Sequence, residues 1–139
     1  MKIRVQWMAF ILSVFLWFSG CAGLGLFASD PALAQDAKQM SDFALLLNLY
    51  AVKNKGRYPA KLEDLASLRE NWRLFASSRL ATPPALYRYI QGRTQAQAAE
   101  TVLAVGFPSP RRGRVNVLTV SGKVYDVSAD KANAILARP

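Results

Sequence analysis

Residues 112–127, RGRVNVLTVSGKVYDV, predict a β-hairpin and decide the fold class. Residues 115–120 are apolar at almost every position, which is typical of an interior strand buried on both faces. Residues 123–127 mix polar and apolar side chains, which suits a strand nearer the edge of a sheet. Ser121 and Gly122 lie between the two strands and predict a two-residue turn. The C-terminal part of the chain therefore contains an antiparallel sheet.

Two earlier segments supply further strands of this sheet. Residues 86–90, LYRYI, alternate in the manner of a half-buried strand. Residues 101–107, TVLAVGF, predict a second strand, which Pro108 and Pro110 end because proline cannot donate a hydrogen bond to a sheet. After the hairpin, Ser128 is placed to cap a short last helix.

The segment before these strands has helical periodicity. From residue 36 to about residue 55, apolar side chains recur at steps of three and four, at Met40, Phe43, Leu47 and Tyr50. Gly56 ends the pattern, since glycine accepts the left-handed conformation found at helix C-termini. The stripe is interpreted as the core face of a long helix, with a face for a partner helix as the alternative.

Shorter helical segments follow the long helix. Pro59 fits the first turn of a second helix, with Leu62 and Leu65 facing inward. Residues 71–80 predict a further helical turn or a loop, with Trp72 in the core. The predicted fold class is α+β: a long N-terminal helix packed on a small antiparallel sheet of three to four strands, ending in a C-terminal hairpin and a short helix.

The first 34 residues have the pattern of a secretory signal and are set apart from residues 35–139, the predicted domain. Lys2 and Arg4 form a positive start, and residues 7–18, WMAFILSVFLWF, form an apolar run. The charged end stays in the cytoplasm while the apolar segment enters the membrane. We therefore expect the protein to be exported.

The leader contains two candidate processing sites. The segment FSGC, residues 18–21, is similar to a lipoprotein signal, in which Cys21 is lipidated and becomes the new N-terminus. The segment ALA, residues 32–34, has the small-x-small pattern cleaved by ordinary signal peptidase, which would leave Gln35 first. An uncleaved anchor is the third alternative. Each alternative predicts a periplasmic or extracellular domain, with membrane attachment only through the leader or a lipid.

Composition and charge restrict the possible functions. The 139 residues carry a net charge of +9, with no histidine and a single cysteine. The commonest metal ligand and the commonest general base near neutral pH are therefore absent, and neither an internal disulfide nor a cysteine-based zinc site can form. We expect no catalytic residues, no cofactor and no metal. The export signal argues against a nucleic-acid partner, and the positive charge favours a protein or an acidic envelope component.

Two parts of the chain resemble a known family. The segment LYAVKNKGRYP, residues 49–59, followed by LEDL, residues 62–65, resembles the globular part of bacterial pseudopilins and type IV pilin-like proteins. Residues 102–105, 115–118 and 121–124 resemble the family's prepilin-associated region, which is named for a histidine, nine residues and Asp-Gly. The resemblance implies a pilin-like α+β domain.

The chain departs from that family at its signature residues. Arg111 stands where the family's histidine falls and Ser121 where its aspartate falls, so that only Gly122 matches. The pilin leader is also missing, because Asp30 is followed by Pro31 and polar residues rather than by an apolar assembly helix. The resemblance therefore implies a pilin-like globular domain and not a subunit polymerised through its N-terminal helix.

The candidate binding site is the basic cluster Arg111, Arg112 and Arg114 at the entrance of the hairpin. The favoured interpretation of these side chains is a solvated surface loop, and the functional alternative is contact with phosphates, acidic lipid headgroups or an acidic envelope polymer. Some pseudopilins hold calcium near this hairpin, which requires several oxygen ligands. Asp126 is the only acid among residues 111–127, so no metal is expected there.

Two other pairs of residues receive a structural interpretation. Ser121 and Lys123 are interpreted as turn residues rather than a Ser/Lys catalytic pair, which needs a desolvated lysine and an oxyanion hole. Tyr87 and Tyr89 share one face of their predicted strand, and core or edge packing is favoured over a ligand-stacking platform.

These patterns predict an exported protein of the bacterial cell envelope with a pilin-like domain and a non-enzymatic binding or structural role. The alternative is an accessory component of a secretion or pilus-like apparatus that docks through Phe43, Leu47 and Tyr50 of the long helix. A hydrolase with a Ser/Lys or carboxylate site is the third and least favoured class. The sequence does not fix the oligomeric state.

Overall fold

A long helix and a four-stranded antiparallel sheet form the body of residues 30–138, the part of the chain that the computed structural model describes. The helices are α1 (Pro31–Lys53), a 3-10 helix (Leu62–Ser67), α2 (Trp72–Ala76) and α3 (Ala129–Leu136). The strands are β1 (Ser77–Ser78), β2 (Ala85–Leu86), β3 (Arg88–Tyr89), β4 (Val102–Val105), β5 (Arg114–Thr119) and β6 (Val124–Ser128). The predicted α+β class is confirmed.

Helix α1 begins earlier than its apolar stripe predicts. The Asp30 carboxylate caps the helix by accepting a hydrogen bond from the backbone N–H of Leu33 at 3.3 Å, and Pro31 occupies the first turn. Proline suits that position because it has no N–H group to leave unsatisfied. The prediction that the helix begins at residue 36 is therefore wrong, since the Asp-Pro pair sets the start.

This early start carries α1 across the position where the predicted signal peptide ends. Cleavage after Ala34 would remove Asp30 and Leu33, and with them the cap and the first turn. Asn116 would also lose an acceptor, since its side-chain amide donates to the Leu33 carbonyl at 2.9 Å. Both processing sites stay predictions, and Cys21 lies outside the described residues.

The C-terminus of α1 agrees with the sequence pattern. Lys53 is the last helical residue, and Gly56 follows with a φ of 79°. Its N–H donates to the carbonyl of Ala51 at 2.8 Å, which satisfies one of the acceptors left open at the helix end. The predicted role of Gly56 is confirmed.

The four-stranded sheet has the order β3-β4-β5-β6, which places β5 inside and β6 at the edge, as predicted. The loop between them differs from the prediction. The N–H of Thr119 donates to the carbonyl of Lys123 at 3.0 Å, so three residues rather than two form the loop. Gly122 has a φ of 81°, the left-handed residue that a three-residue loop with a bulge requires. The two-residue Ser-Gly turn is therefore wrong.

The strand predicted at residues 86–90 is divided between two sheets. Ala85–Leu86 pairs with Ser77–Ser78 in a separate two-stranded sheet, whereas Arg88–Tyr89 pairs with β4. Between them, the N–H of Tyr87 donates to the carbonyl of Ala76 at 2.7 Å, and the Tyr87 side chain is buried. The chain passes from one sheet to the other at this residue.

Strand β5 is buried on both faces because helices cover both faces of the sheet. On one side, Leu118 joins the core cluster around α1. On the other side, Val115 and Val117 join a second cluster that contains Ala132 of α3. Ser128 caps α3 by accepting a hydrogen bond from the N–H of Lys131 at 3.3 Å, as predicted.

The stripe along α1 is the core face. Phe43 and Leu47 are fully buried, and the Phe43 ring stacks on Tyr87 with centroids 5.5 Å apart. Tyr50 is half-buried at the edge of the same cluster. Phe43 and Leu47 are therefore not accessible to a partner helix, which removes the docking face that the sequence suggested as an alternative.

The shorter helices also place their apolar side chains as predicted. Leu62 and Leu65 are buried in the 3-10 helix, although it begins at Leu62 and not at Pro59. Trp72 of α2 is buried in the same core. Within residues 30–138, none of the helices has the length and hydropathy needed to span a membrane.

Candidate functional site

The three predicted arginines differ in their exposure and contacts. Arg111 and Arg112 are exposed. Arg114 forms an ion pair with Asp126, with its Nε 2.5 Å from the carboxylate, and it also donates to the Asp126 carbonyl at 3.0 Å. These bonds link neighbouring strands β5 and β6, so the charge of Arg114 is largely compensated within the sheet.

The same loop is tied to the start of α1. A hydrogen bond from the Ser109 hydroxyl lowers the pKa of the Asp30 carboxylate, and the positive charge of Arg111 lowers this pKa further, while burial opposes the shift. Ser109 also closes the loop, because its N–H donates to the Arg114 carbonyl and its own carbonyl accepts from Gly113, each at 2.8 Å. The loop therefore lies beside the N-terminus of α1.

The two turn residues are arranged as the sequence interpretation expects. Ser121 and Lys123 are both exposed, so the lysine ammonium is not desolvated. The Ser121 hydroxyl lies 2.8 Å from the Thr119 hydroxyl, which also donates to the Lys123 carbonyl at 3.2 Å. The Ser121 hydroxyl is therefore engaged in the geometry of the loop.

The two tyrosines of residues 86–90 pack into the structure rather than forming a platform. Tyr87 is buried against Phe43. Tyr89 is half-buried, and its hydroxyl donates to the Pro59 carbonyl at 2.7 Å. Burial raises the pKa of both hydroxyls above the ordinary value of 10.0. The packing interpretation is confirmed for both residues.

A buried carboxylate, which the sequence interpretation missed, connects α1 to both sheets. Asp36 accepts hydrogen bonds from the Ser78 hydroxyl at 2.6 Å, the Tyr87 hydroxyl at 3.1 Å and the Asn116 amide at 2.9 Å. The only available signal was its position four residues before Met40, within the apolar stripe. Because the carboxylate is buried and surrounded by donors, its role is to fix the helix against the sheets.

The second feature that sequence reasoning missed is an exposed apolar strip on the other side of α1. Leu45, Leu49 and Val52 are 68%, 49% and 71% exposed, and their spacing of four and three residues places them on one helix face. Leu74 of α2 is 70% exposed. This spacing is visible in the sequence. The buried stripe of the same helix extends over more residues, however, and the sequence interpretation considered only that stripe.

A groove runs between α1 and α2 beside this strip. Its first part has a volume of about 410 Å³. The second part, of about 250 Å³, shares Asp42 and Phe75 with the first and includes Leu74. We define the α1–α2 groove by the residues that line these two parts, Gln35, Lys38, Gln39, Asp42, Leu45, Leu46, Leu49, Arg69, Leu74, Phe75 and Arg79.

Several polar and cation–π contacts border the groove. The Gln39 amide donates to the Leu74 carbonyl at 3.0 Å and also to the Ser77 carbonyl, which anchors the end of α2 to α1. The Arg69 guanidinium lies over the Phe75 ring, 4.9 Å from its centroid. Lys38 and Arg79 line the other part of the groove, so cations outnumber the single acid, Asp42, along its walls. The first part of the groove, beside Leu45 and Leu49, is therefore mainly apolar, whereas the second part, beside Lys38 and Arg79, is mainly polar and basic.

Comparisons with known proteins add no relative from which a function could be transferred. No family model, no curated protein and no solved structure matches the chain. Residues 30–138 also contain no group of three or more His, Cys, Asp or Glu side chains that could hold a metal ion. The resemblance to pseudopilins consequently stays a prediction.

Proposed function

We propose that this protein is an exported, non-enzymatic binding domain of the bacterial cell envelope, which captures an amphipathic helix of a partner protein in the α1–α2 groove. The observation that carries the proposal is the exposure of Leu45, Leu49 and Leu74 beside that groove. Contiguous exposed apolar side chains with a polar rim are typical of interaction sites. The leader, with its basic start and apolar run, supports export.

The shape of the groove favours a helix as its occupant. From Gln35 to Leu49 it follows α1 for roughly 20 Å, at about 1.5 Å per residue. An amphipathic helix can lay its apolar face into such a groove, with side chains at i, i+3, i+4 and i+7 contacting the floor. A flat bilayer surface fits less well, because Asp42 would then face the hydrocarbon boundary.

The charge of the rim indicates what flanks that apolar face. Lys38, Arg69 and Arg79 line the groove against one carboxylate, that of Asp42. Acidic residues on either side of the partner's apolar face would complement these cations and speed the encounter. A second copy of this chain is a poorer occupant, since two molecules of net charge +9 repel each other.

A pilin-like domain and a role as an accessory component of a secretion or pilus-like apparatus belong to the same proposal. The order of elements supports them, because a long helix that ends at Lys53, shortly before the GRYP segment of residues 56–59, packs on an antiparallel sheet. The docking residues are different from those first suggested, because Leu45 and Leu49 replace Phe43 and Leu47. The exposed Arg111 and Arg112 supply a second, smaller basic surface.

The proposal is tested by placing the photo-crosslinker benzoylphenylalanine at position 45, 49 or 98 of the full chain in intact envelopes. Ala98 is an exposed loop residue outside the groove and serves as the control. We expect positions 45 and 49 to capture the same peptide, an acidic amphipathic helix of one partner, and position 98 not to capture it. A synthetic copy of that peptide should bind at least ten-fold more weakly to Leu49→Asp than to Ala98→Asp.

Other outcomes would contradict the proposal. Crosslinks from position 49 to lipid would indicate a membrane-binding face, and crosslinks to residues 31–53 of a second copy would indicate a homodimer. Crosslinks to the chain's own leader would indicate an internal contact. Equal binding of the synthetic peptide by the two aspartate variants would show that the groove is not the docking site.

A further inference from the structure

A second depression, on residues that the α1–α2 groove does not use, carries two arginines. It has a volume of about 630 Å³, and Arg57, Tyr58, Gln91, Arg93 and Thr94 line it. It lies where the segment after α1 meets the loop that follows β3. A volume in the range of roughly 300–1,000 Å³ is usual for a small-molecule site.

The backbone holds these side chains in a fixed arrangement. Arg57 and Thr94 form an antiparallel bridge, and the N–H of Tyr58 donates to the Arg93 carbonyl at 3.3 Å. The N–H of Gln95 donates to the Gly56 carbonyl at 2.8 Å and closes the same pairing. Arg57 pairs with Thr94 and Tyr58 with Arg93, so the two arginines belong to one pair of backbone segments and not to independent loops.

Tyr58 gives the depression a rigid base. Its side chain is buried, and its hydroxyl donates to the Asn48 side chain at 3.1 Å and lies 3.4 Å from the Val120 carbonyl. These bonds connect the residue beside Arg57 to α1 and to the hairpin loop. The position of the two arginines is thus set by the core of the domain.

The charge of the depression is not compensated by the protein. Its lining includes no carboxylate, and within residues 30–138 neither Arg57 nor Arg93 takes part in a salt bridge. Two arginines beside a depression that has no carboxylate leave its positive charge uncompensated, and an anion bound in the depression would offset that charge.

We infer that this depression binds an oxyanion-bearing ligand, with Arg93 and Arg57 holding the oxyanion. A guanidinium presents paired N–H donors whose geometry matches a carboxylate or a phosphate group. The depression is larger than a lone oxyanion, so the body of the ligand would lie beside Gln91 and Thr94, whose side chains can hydrogen-bond to hydroxyl groups. Candidate sources of the oxyanion are free phosphate and the carboxylates of an acidic saccharide.

The test is a titration of the isotope-labelled full chain, followed by amide NMR shifts at constant ionic strength. Inorganic phosphate and trigalacturonate are the two probes, and they distinguish the two sources. We expect at least one probe to produce saturable shifts at residues 57, 58 and 91–94. The Arg57→Gln/Arg93→Gln variant should bind that probe at least ten-fold more weakly than the wild type.

A matched control separates a site from general attraction. Lys131→Gln/Arg138→Gln removes two exposed charges that line neither the depression nor the α1–α2 groove, and it should bind like the wild type. If the Arg93→Gln change disturbs folding, Arg93→Lys keeps the charge but loses the paired donors, and it should still weaken binding at least five-fold. Shifts that do not saturate, no shifts with either probe, or equal weakening in the control would overturn the inference.

Discussion

The two apolar faces of α1 have similar composition but opposite environments. Phe43 and Leu47 on one face are fully buried, whereas Leu45 and Leu49 on the other are 68% and 49% exposed. Burying a leucine side chain stabilises a fold by about 1.5–3 kcal/mol, and leaving it exposed forgoes that gain. The first face is therefore explained by folding and the second is not. An apolar side chain without a folding role is a reason to look for a partner.

The largest effect expected from this comparison is at Phe43. Phe43→Ala removes a buried ring stacked on Tyr87 and leaves a cavity, so we expect a loss of about 3–5 kcal/mol in the free energy of unfolding. Leu45→Ala on the exposed face should change it by less than about 0.5 kcal/mol. Urea denaturation of both variants provides the measurement. Equal losses would mean that Leu45 is also part of the folding core and that the comparison fails.

The next largest effect is expected at Asp36, the polar member of the buried face. Asp36→Ala leaves the Ser78, Tyr87 and Asn116 donors without their acceptor, and we expect a loss on the order of 3 kcal/mol. Asp42→Ala removes an exposed carboxylate of the same helix and is the matched control, with little expected change. Thermal unfolding followed by circular dichroism compares the two. Similar melting temperatures would show that the Asp36 network does not hold α1 to the sheets.

The parts of the fold that follow from local patterns could be predicted from the sequence. The apolar stripe of α1, the interior strand β5 and the cap at Ser128 each depend on a few neighbouring residues. The wider hairpin loop could not be predicted, because the register of β5 and β6 decides whether two or three residues connect them. The passage of residues 86–90 between two sheets depends on Tyr87 packing against Phe43, a contact between distant parts of the chain.

The candidate sites were harder to predict than the fold for the same reason. The sequence indicated Arg111, Arg112 and Arg114 as one cluster, but the pairing of Arg114 with Asp126 depends on strand register. Arg57 and Arg93 are far apart in sequence, and only the bridge between Arg57 and Thr94 brings them together. A site built across paired segments leaves no local pattern to read.

The smallest expected effect concerns Asp30, where the buried face of α1 begins. The hydrogen bond from Ser109 lowers the pKa of Asp30 below its ordinary value of 3.8. A lowered pKa in the folded state means that ionised Asp30 contributes stability above that ordinary value, and that this contribution is lost as the pH falls through the folded-state pKa. Asp30→Asn keeps a good cap but has no charge to lose.

We therefore expect Asp30→Asn to be slightly less stable than the wild type at neutral pH. The difference in the free energy of unfolding should shrink towards zero as the pH falls from 3.8 through the lower pKa of Asp30 in the folded state. Urea unfolding of both proteins across an acidic pH series provides the measurement. Ser109→Ala removes the donor that lowers the pKa and should reduce the pH dependence without removing the carboxylate. A difference that stays constant down to the lowest pH would mean that the charge of Asp30 does not stabilise the start of α1. The cap alone would then account for the early start of the helix.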